Sequence, residues 1–291
     1  MPGGGRTPRA LSIAGSDSGG GAGIQADLKA FARCGVHGMT AITAITAQNT
    51  AGVTAIHPVP PEIVLAQIRA VVGDIGVDAV KVGMLGTAQV TLAVARAIDE
   101  LPPSTPVVVD PVMVAESGAR LLDPDARRAL VEEILPRATV LTPNLPEARV
   151  FAGEPLDDLR SIAVDGDEEA EALARAVLAL GPRIVVLTGG HRARAIDLFL
   201  DASGDGFVVS IEGERHPDGA AHGSGCTHSS VLAAQLALGR SPLDAARTAR
   251  ALAGEAVAGG LREIGQGAGP VDVLGLARMR SDWRSRFPGL P

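Results

Sequence analysis

The sequence predicts an α/β protein in which helices flank both faces of a doubly wound, mostly parallel sheet. The first observation is that short apolar segments alternate with segments of helical periodicity along most of the chain. The second is the composition: 46% of the 291 residues are hydrophobic but only 2% are aromatic, which favours an aliphatic core between parallel strands and helices. A chain of this length can bury one large α/β core.

Strands are predicted where short runs of apolar and β-branched residues end at Gly, Pro, Asp or Asn. These runs lie at residues 10–14, 39–46, 52–57, 79–82, 106–109, 139–141, 184–187, 196–200 and 207–211. The last two flank a Gly-Asp-Gly turn, so we expect them to form a small antiparallel hairpin.

Helices are predicted where apolar residues recur every three or four positions behind a capping residue or a proline. One follows Asp123 and Pro124, a pair typical of an N-cap and a first helical position, and is expected to run to Leu135. The others are expected to begin near residues 22, 61, 87, 168 and 242 and in the segment that contains Cys226, with a short terminal helix over 271–286.

Charge and composition exclude some classes of function. The formal net charge of −7 argues against a nucleic-acid-binding surface. The two cysteines, Cys34 and Cys226, are too few for a disulfide framework and fit a reducing compartment. No apolar run is long enough to span a bilayer, and residues 1–9 lack the apolar core of a signal peptide. We therefore expect a cytoplasmic protein, without a membrane partner, that begins with a flexible tail over residues 1–9.

Glycines and polar residues follow the carboxyl ends of the predicted strands. In a doubly wound sheet these ends lie along one edge, where ligands bind. Six segments from distant parts of the chain are therefore expected to line a single cleft. They contain residues 15–21, Gln48, Met84, Asp110, Asn144 with Glu147, and residues 188–191.

The segment over residues 221–230 carries the strongest chemical signal. A turn of small residues leads directly into an apolar helical pattern, and glycines let an anion approach the N–H groups at the helix start. The thiol of Cys226 lies at the positive end of this helix, which favours the thiolate. We interpret the segment as the place where a phosphate is transferred. The alternative is that Cys226 is a small buried hydrophobe, and His222 or His228 pairs with it only if the fold brings them together.

Residues 19–23 contain a loose glycine fingerprint between a strand and a helix. The spacing is not a clean GxGxxG, and the following predicted strand does not end in an acidic residue, which argues against a dinucleotide site. Close approach of a small, flat substrate to the glycine backbone is the favoured interpretation, and a plain tight turn is the alternative. Asp27, in the helix that follows, lies either on a solvated helix face or at the substrate.

Three acidic or amide residues near the strand ends have two compatible interpretations. Asn144 and Glu147, three positions apart, have the spacing of an N-cap and its capping-box partner. Both could also orient water around Mg²⁺ near a triphosphate, because hard cations take oxygen ligands and keep several waters. Asp110 is either a turn former before Pro111 or a carboxylate near the metal.

Taken together, seven segments resemble the motifs of a known family. They are AGSD at 14–17, GIQADLK at 23–29, AQNT at 47–50, VGML at 82–85, DPVM at 110–113, TPNLPE at 142–147 and HGSGCT at 222–227. In this order they resemble the hydroxymethylpyrimidine/phosphomethylpyrimidine kinases of thiamine biosynthesis, which belong to the ribokinase superfamily. The resemblance extends from about residue 10 to residue 270, nearly the whole chain.

The resemblance implies ATP- and Mg²⁺-dependent phosphorylation of 4-amino-5-hydroxymethyl-2-methylpyrimidine and then of its monophosphate. It also implies a single ribokinase-like kinase domain over residues 10–291 and a homodimer. By position it assigns the pyrimidine to Gly15, Ala22, Asp27, Gln48, Met84 and Val112, the anion hole to Gly223, Ser224 and Gly225, the catalytic base to Cys226, ATP contacts to Thr188 and Gly190, and the metal to Asp110, Asn144 and Glu147.

Three positions depart from the family pattern. Thr188 stands where lysine is frequent, Gln48 where some members have glutamate, and Ser224 where threonine is usual. A pyridoxal or pyridoxine kinase of the same fold is the nearest alternative, because the two hydroxymethyl-bearing rings are similar in shape. The sequence also leaves open a non-catalytic pyrimidine-binding protein and, more distantly, an NAD-dependent oxidoreductase.

Overall fold

An eight-stranded sheet runs through the computed structural model, which describes residues 6–114, 118, 121–154, 166–190, 194–204, 206–276 and 278–279. The strands are β1 (Arg9–Ala14), β2 (His37–Ile42), β3 (Ala44–Gln48), β4 (Val53–Pro58), β5 (Ala79–Val82), β6 (Val107–Val109), β7 (Val140–Leu141), β8 (Ile184–Leu187), β9 (Ile196–Asp201) and β10 (Val208–Glu212). Their order in the main sheet is β2-β1-β5-β6-β7-β8-β9-β10, and β3 pairs with β4 outside it.

Neighbouring strands from β2 to β8 are parallel, whereas β9 and β10 extend the sheet in antiparallel orientation. The mostly parallel sheet and the antiparallel hairpin are therefore confirmed. From β1 the chain moves outward to β2 and later returns to β5, on the other side of β1. The strand order reverses between β1 and β5, and ligands bind at such a switch point in open α/β sheets.

Helices cover both faces of the sheet, as predicted. They are α1 (Gly23–Arg33), α2 (Pro61–Asp74), α3 (Ala88–Asp99), α4 (Pro124–Ala129), α5 (Leu145–Phe151), α6 (Asp167–Leu178), α7 (Ser224–Ala237) and α8 (Pro242–Ala258). Successive strand residues point to opposite faces, so Leu11 packs into the core beside α2 to α6 and Ala10 into the core beside α1, α7 and α8. None of the helices that the structure describes is both long enough and apolar enough to cross a bilayer.

The strand predicted over 39–46 is two strands, because the chain leaves the main sheet at Thr43. The N–H of Thr43 donates to the carbonyl of Ala14 at 3.1 Å, and its hydroxyl donates to the carbonyl of Met84 at 2.6 Å. These bonds anchor the residue at the switch point, and the chain beyond it pairs antiparallel with β4. The strand predicted over 52–57 is β4, and it belongs to this separate two-stranded sheet.

Two further boundaries differ from the prediction. The helix expected to reach Leu135 is α-helical only to Ala129 and continues as a π-helical and a 3₁₀ turn, since Pro136 has no N–H for a regular helix. Arg9 opens β1, and its N–H and guanidinium donate to Asp78 at 2.9 and 3.1 Å, so it is no part of a tail. Residues 1–5 of the predicted tail and residues 277 and 280–286 of the predicted terminal helix lie outside the described residues.

Candidate active site

A cavity of about 370 Å³ opens at the switch point, along the carboxyl ends of the parallel strands. Its walls contain every residue that the sequence assigns to a site except Asp27. These residues are Gly15, Ala22, Gln48, Met84, Asp110, Val112, Asn144, Glu147, Thr188, Gly190, Gly223, Ser224, Gly225 and Cys226. The structure therefore brings segments from distant parts of the chain to one cleft, as the strand-end argument predicts.

The loop between β1 and α1 forms one wall of the cleft. The N–H of Gly15 donates to the carbonyl of Met84 at 3.2 Å, so this loop begins directly beside the end of β5. Its other side is held by the hairpin, because the N–H of Ser16 donates to the carbonyl of Ala44 at 2.9 Å. Gln48 lies at the end of β3 and lines the same wall. Met84 packs against this wall, because a Cβ atom on Gly15 would come within 2.3 Å of its Cε. We call the part of the cleft that Gly15, Gln48 and Met84 line the slot.

Asp27, which the resemblance assigns to the substrate, does not line the cleft, and the alternative of a solvated helix face is wrong. Its side chain is fully buried between α1 and the sheet. The carboxylate accepts from the ammonium of Lys81 at 3.0 and 3.2 Å and from the hydroxyls of Ser12 and Ser230 at 2.5 and 2.7 Å. Asp27 is a buried counter-ion beneath the cleft.

Lys81 is the functional-site residue that the sequence analysis missed. It lies in β5 opposite Ser12 of β1, lines the cleft, and is fully buried. Burial opposes its charge, but the carboxylates of Asp27 and Asp110 keep the pKa of Lys81 above its ordinary value. Its ammonium lies 3.7 Å from Asp110. The sequence did contain a signal for Lys81, because a lysine inside the short apolar strand AVKV is unusual and lysine is almost never fully buried without a partner.

Replacement of Lys81 by methionine is expected to lower the free energy of unfolding by about 3–5 kcal/mol, because it leaves the carboxylate of Asp27 buried without its cation. Urea unfolding of the purified variant measures this loss. Arg69→Met is the matched control, since the Arg69–Glu100 pair is about half exposed and such pairs contribute roughly 0–1 kcal/mol. Equal losses in the two variants would contradict a special role for the buried pair.

Two carboxyl groups face the cleft at the ends of β6 and β7. Asp110 accepts from the hydroxyl of Ser229 at 2.9 Å, and burial raises its pKa although Lys81 opposes the shift. Burial, reinforced by the nearby charge of Asp110, raises the pKa of Glu147 to about 8. Glu147 and Asn144 form the expected capping box at the start of α5: each accepts from the other's N–H, at 2.9 and 2.8 Å. A site with two crowded carboxyl groups favours a cation.

The start of α7 lies opposite these carboxyl groups. Gly223 is its N-cap and has a φ of +85°, a left-handed conformation that favours glycine. The N–H of Ser224 donates to the carbonyl of Ala221 at 3.0 Å and so closes a turn. This N–H is therefore not free to bind an anion, although the sequence assigns Ser224 to the anion hole. Gly225 and Cys226 follow in the first helical turn, where N–H groups have no partner inside the helix.

Cys226 lines the cleft, but its thiol is not the thiolate that the helix-end argument predicts. Burial raises the pKa of the Cys226 thiol to about 12. The ammonium of Lys81 and the N–H of Gly23 oppose this shift, whereas the carboxylates of Asp110 and Asp27 reinforce it. The thiol is therefore neutral near pH 7 in the free protein.

The two histidines near Cys226 are bound by carboxylates. Nε2 of His222 lies 2.9 Å from Asp17, and Nε2 of His228 lies 3.1 Å from Asp197. A Cys–His pair, left open by the sequence, is thus replaced by two His–Asp pairs. One joins the segment before α7 to the loop between β1 and α1, and the other joins α7 to β9.

Thr188 and Gly190 line the opposite end of the cleft, after β8. The loop that carries them is held by Asp197, whose buried carboxylate accepts from the N–H of Gly189 at 2.8 Å. Although burial opposes it, the hydrogen bond from His228 helps to keep the pKa of Asp197 below its ordinary value. His228 lies one turn beyond the start of α7, so this pair joins the helix to the loop.

A doubly wound sheet, whose switch-point cleft is lined by a helix start and by two carboxyl groups, fits the class of small-molecule kinases with ribokinase-like architecture. Comparison with known proteins agrees with this class. The family model for phosphomethylpyrimidine kinase matches residues 17–272, and the chain belongs to that family.

Relatives and solved structures resemble nearly the whole chain. A hydroxymethylpyrimidine/phosphomethylpyrimidine kinase of Rhizobium meliloti is 48% identical over 269 residues, covering 91% of this chain and 96% of its own. The crystal structure of a phosphomethylpyrimidine kinase from Clostridium difficile 630 is 36% identical with a TM-score of 0.69, over 84% of this chain and 96% of its own. A pyridoxal kinase from Staphylococcus aureus in complex with ADP is 32% identical with a TM-score of 0.81, over 94% of this chain and 96% of its own.

Proposed function

We propose that this protein, as a single kinase domain over residues 10–291, transfers phosphate from ATP to 4-amino-5-hydroxymethyl-2-methylpyrimidine and then to its monophosphate. The observation that carries the proposal is a shared cavity: the start of α7 with Cys226 and the slot beside Gln48 and Met84 line the same walls. A flat hydroxymethyl heterocycle in the slot would present its oxygen toward the helix start. Such positioning supplies much of the catalysis in phosphoryl transfer.

The slot has the chemistry that an aminopyrimidine needs. Met84 and Val112 line the cavity and would give the ring apolar contact. Gln48 carries an amide that both donates and accepts, which suits the alternating donors and acceptors of an aminopyrimidine edge. The backbone at Gly15 and Ala22 lets the ring lie close to the loop.

ATP would occupy the rest of the cleft, with its phosphates between Thr188, Gly190 and the first turn of α7. Among the described residues no cluster of three or more His, Cys, Asp or Glu could hold a metal alone. Mg²⁺ is usually bound through one or two carboxylates and the phosphates of the nucleotide. Asp110 and Glu147 would hold it, with Asn144 fixing Glu147. When bound, Mg²⁺ neutralises charge on the phosphates.

The thiolate form of Cys226, a minor species at neutral pH, would accept the proton of the substrate hydroxyl in the first phosphorylation. The second phosphorylation starts from a phosphate oxygen that is already largely ionised, so it depends less on a base. Lys81, fully buried beside Asp110 and Asp27, would lower the cost of forming the thiolate in this site.

A coupled assay that follows ADP formation with hydroxymethylpyrimidine, its monophosphate and pyridoxine tests this proposal. We expect turnover with both pyrimidines. In the Cys226→Ala variant we expect turnover with hydroxymethylpyrimidine to fall by at least about 10²-fold, a loss that a contaminating kinase would not show. Pyridoxine is the second candidate substrate, favoured by the similarity to the pyridoxal kinase of Staphylococcus aureus. Turnover with pyridoxine alone, or binding of hydroxymethylpyrimidine without turnover, would overturn the proposed function.

The same proposal includes a cytoplasmic location and a homodimer. The surface of the β3–β4 hairpin supports the homodimer. Ile45, 55% exposed, shares one face of this hairpin with Ala47, Ala55 and its cross-strand partner His57, which are also exposed. A two-stranded sheet with a mostly apolar outer face gains stability when a second copy covers it.

Ile45→Arg is expected to convert the dimer to a monomer in light scattering, because a charge would lie in the proposed interface. Leu92→Arg on α3, where Leu92 is 41% exposed, is the matched control and is expected to leave the mass unchanged. A monomeric wild-type protein would contradict this part of the proposal without affecting the assigned reaction.

A further inference from the structure

The loop between β1 and α1 is held on two sides by three consecutive residues. Ser16 and Ser18 point to the hairpin: Ser16 Oγ accepts from the N–H of Thr46 at 3.0 Å. Ser18 Oγ donates to the carbonyl of Gln48 at 2.6 Å and accepts from its N–H at 2.8 Å. Asp17, between the serines, points the other way and accepts from Nε2 of His222 at 2.9 Å. The loop thus joins the strand that carries Gln48 to the segment before α7.

Asp17 is the organising group of this loop. Its side chain is 1% exposed and accepts from the N–H groups of Gly19, Gly21 and Ala22 at 2.9, 3.0 and 2.8 Å. Burial opposes the charge, but hydrogen bonds led by that from His222 hold the pKa of Asp17 below its ordinary value. The carboxylate therefore fixes the backbone that the substrate ring would contact.

The segment before α7 lies directly against this loop. A Cβ atom on Gly21 would come within 2.3 Å of Cδ2 of His222, and one on Gly223 within 1.8 Å of the carbonyl oxygen of Gly21. On its far side, His222 is held by the N–H of Val271, which donates to its carbonyl at 3.1 Å. His222 is buried, and its imidazole fills the space between the two loops.

We propose that the Asp17–His222 pair is a positioning device that sets the distance between the substrate hydroxymethyl group and the phosphate-binding start of α7. This inference rests on the proposed function, since it assigns the loop over 15–22 to the substrate and α7 to the phosphate. Neither residue exchanges a proton with the substrate. Both act through the loops that they join.

Loss of the pair has a specific chemical consequence. If the hydroxymethyl oxygen lies too far from the γ-phosphorus, water attacks in its place, the bond between the γ-phosphorus and the ADP oxygen breaks, and ADP, inorganic phosphate and a proton are released. ATP consumption then exceeds formation of phosphorylated pyrimidine. Loss of stability alone would lower both in parallel.

The test compares His222→Leu, which removes the hydrogen bond at similar volume, with His222→Gln, whose amide can still donate to Asp17. The control is His37→Leu at the start of β2, where the side chain is exposed. Steady-state kinetics give kcat, the KM for each substrate, and the ratio of ADP to phosphorylated pyrimidine. Exchange mass spectrometry follows the peptides around Gly21 and Gly223 in the ADP complex.

We expect His222→Leu to lower kcat about 30- to 100-fold, as a misplacement near 1 Å does, while the KM for ATP changes less than about twofold. The ratio of ADP to product is expected to rise above one, His222→Gln to recover most of kcat, and His37→Leu to behave as wild type. A kcat within threefold of wild type, a ratio that stays at one, or equal loss in His222→Gln would overturn the proposal.

Two further measurements separate the sources of failure. Should His222→Leu not fold, Asp17→Asn keeps the volume of the side chain and is expected to show the same excess of ADP. Should wild type not phosphorylate the pyrimidine, the proposed function fails, and the exchange data then decide the inference. Faster hydrogen exchange in both loops of His222→Leu would support the proposal that the Asp17–His222 pair connects them. Faster exchange in one loop alone would overturn that proposal.

Discussion

Replacement of Cys226 by alanine is expected to slow phosphorylation of hydroxymethylpyrimidine by about 10²- to 10⁴-fold, the usual contribution of a general base. Phosphorylation of the monophosphate is expected to fall by less than about tenfold, because its attacking oxygen is already ionised near pH 7. Single-turnover kinetics with each substrate measure the two steps separately. Cys34→Ala is the matched control, since Cys34 ends α1 beside the apolar core and does not line the cleft.

The raised pKa of Cys226 gives this prediction a pH dependence. With a thiol pKa of about 12, the thiolate fraction of the free enzyme increases tenfold per pH unit through the neutral range. The first phosphorylation is therefore expected to accelerate from pH 7 to pH 9, whereas Cys226→Asp, with a carboxylate already ionised, is expected to show a flatter profile. Equal loss in both steps for Cys226→Ala, or a flat wild-type profile, would refute the assignment of the base.

The position of the cleft could be predicted from the sequence because parallel strands impose it. Gly15, Met84, Asp110 and Thr188 are far apart in the chain, but each follows a predicted strand, and parallel strands end on the same edge. The capping box of Asn144 and Glu147 was predictable for a similar reason: it depends on a spacing of three residues. The spacing of residues and the order of the strands can both be read directly from the linear sequence.

The buried ion pair could not be predicted in this way. Asp27 and Lys81 are 54 positions apart, and they meet only because β1 and β5 align Ser12 with Lys81 beneath α1. Helical periodicity places Asp27 on a face of α1 but does not say which strand residue lies opposite. The same limit applies to Asp17 and His222, which are 205 positions apart.

The predicted charge state of Cys226 was wrong for a reason of magnitude. A helix N-terminus stabilises an anion by roughly 0.3–1 kcal/mol at surface sites, which is less than one pKa unit. Burial with two nearby carboxylates shifts the thiol pKa from its ordinary value of 9.0 to about 12. The sequence shows the helix start but not how deeply the thiol is buried. It therefore indicated only the field of the helix end, which is the weaker of the two effects on the pKa of Cys226.

Replacement of Gly223 by alanine is expected to lower kcat for both phosphorylations by about 10²- to 10³-fold, the usual loss when a backbone donor to the transition state is displaced. The new Cβ would lie 1.8 Å from the carbonyl oxygen of Gly21, at a φ of +85° that alanine rarely adopts. The first turn of α7 must therefore move away from the substrate loop.

Gly239→Ala separates this effect from backbone strain alone. Gly239 follows the other end of α7 with a φ of +77°, and a Cβ there meets no atom within 4 Å. The control is expected to cost about 1 kcal/mol of stability without loss of kcat. Since stabilisation of the γ-phosphate is common to both steps, Gly223→Ala should damage them equally, in contrast to Cys226→Ala. A loss confined to one step would contradict this role. A turn that binds the transferred phosphate serves both phosphorylations.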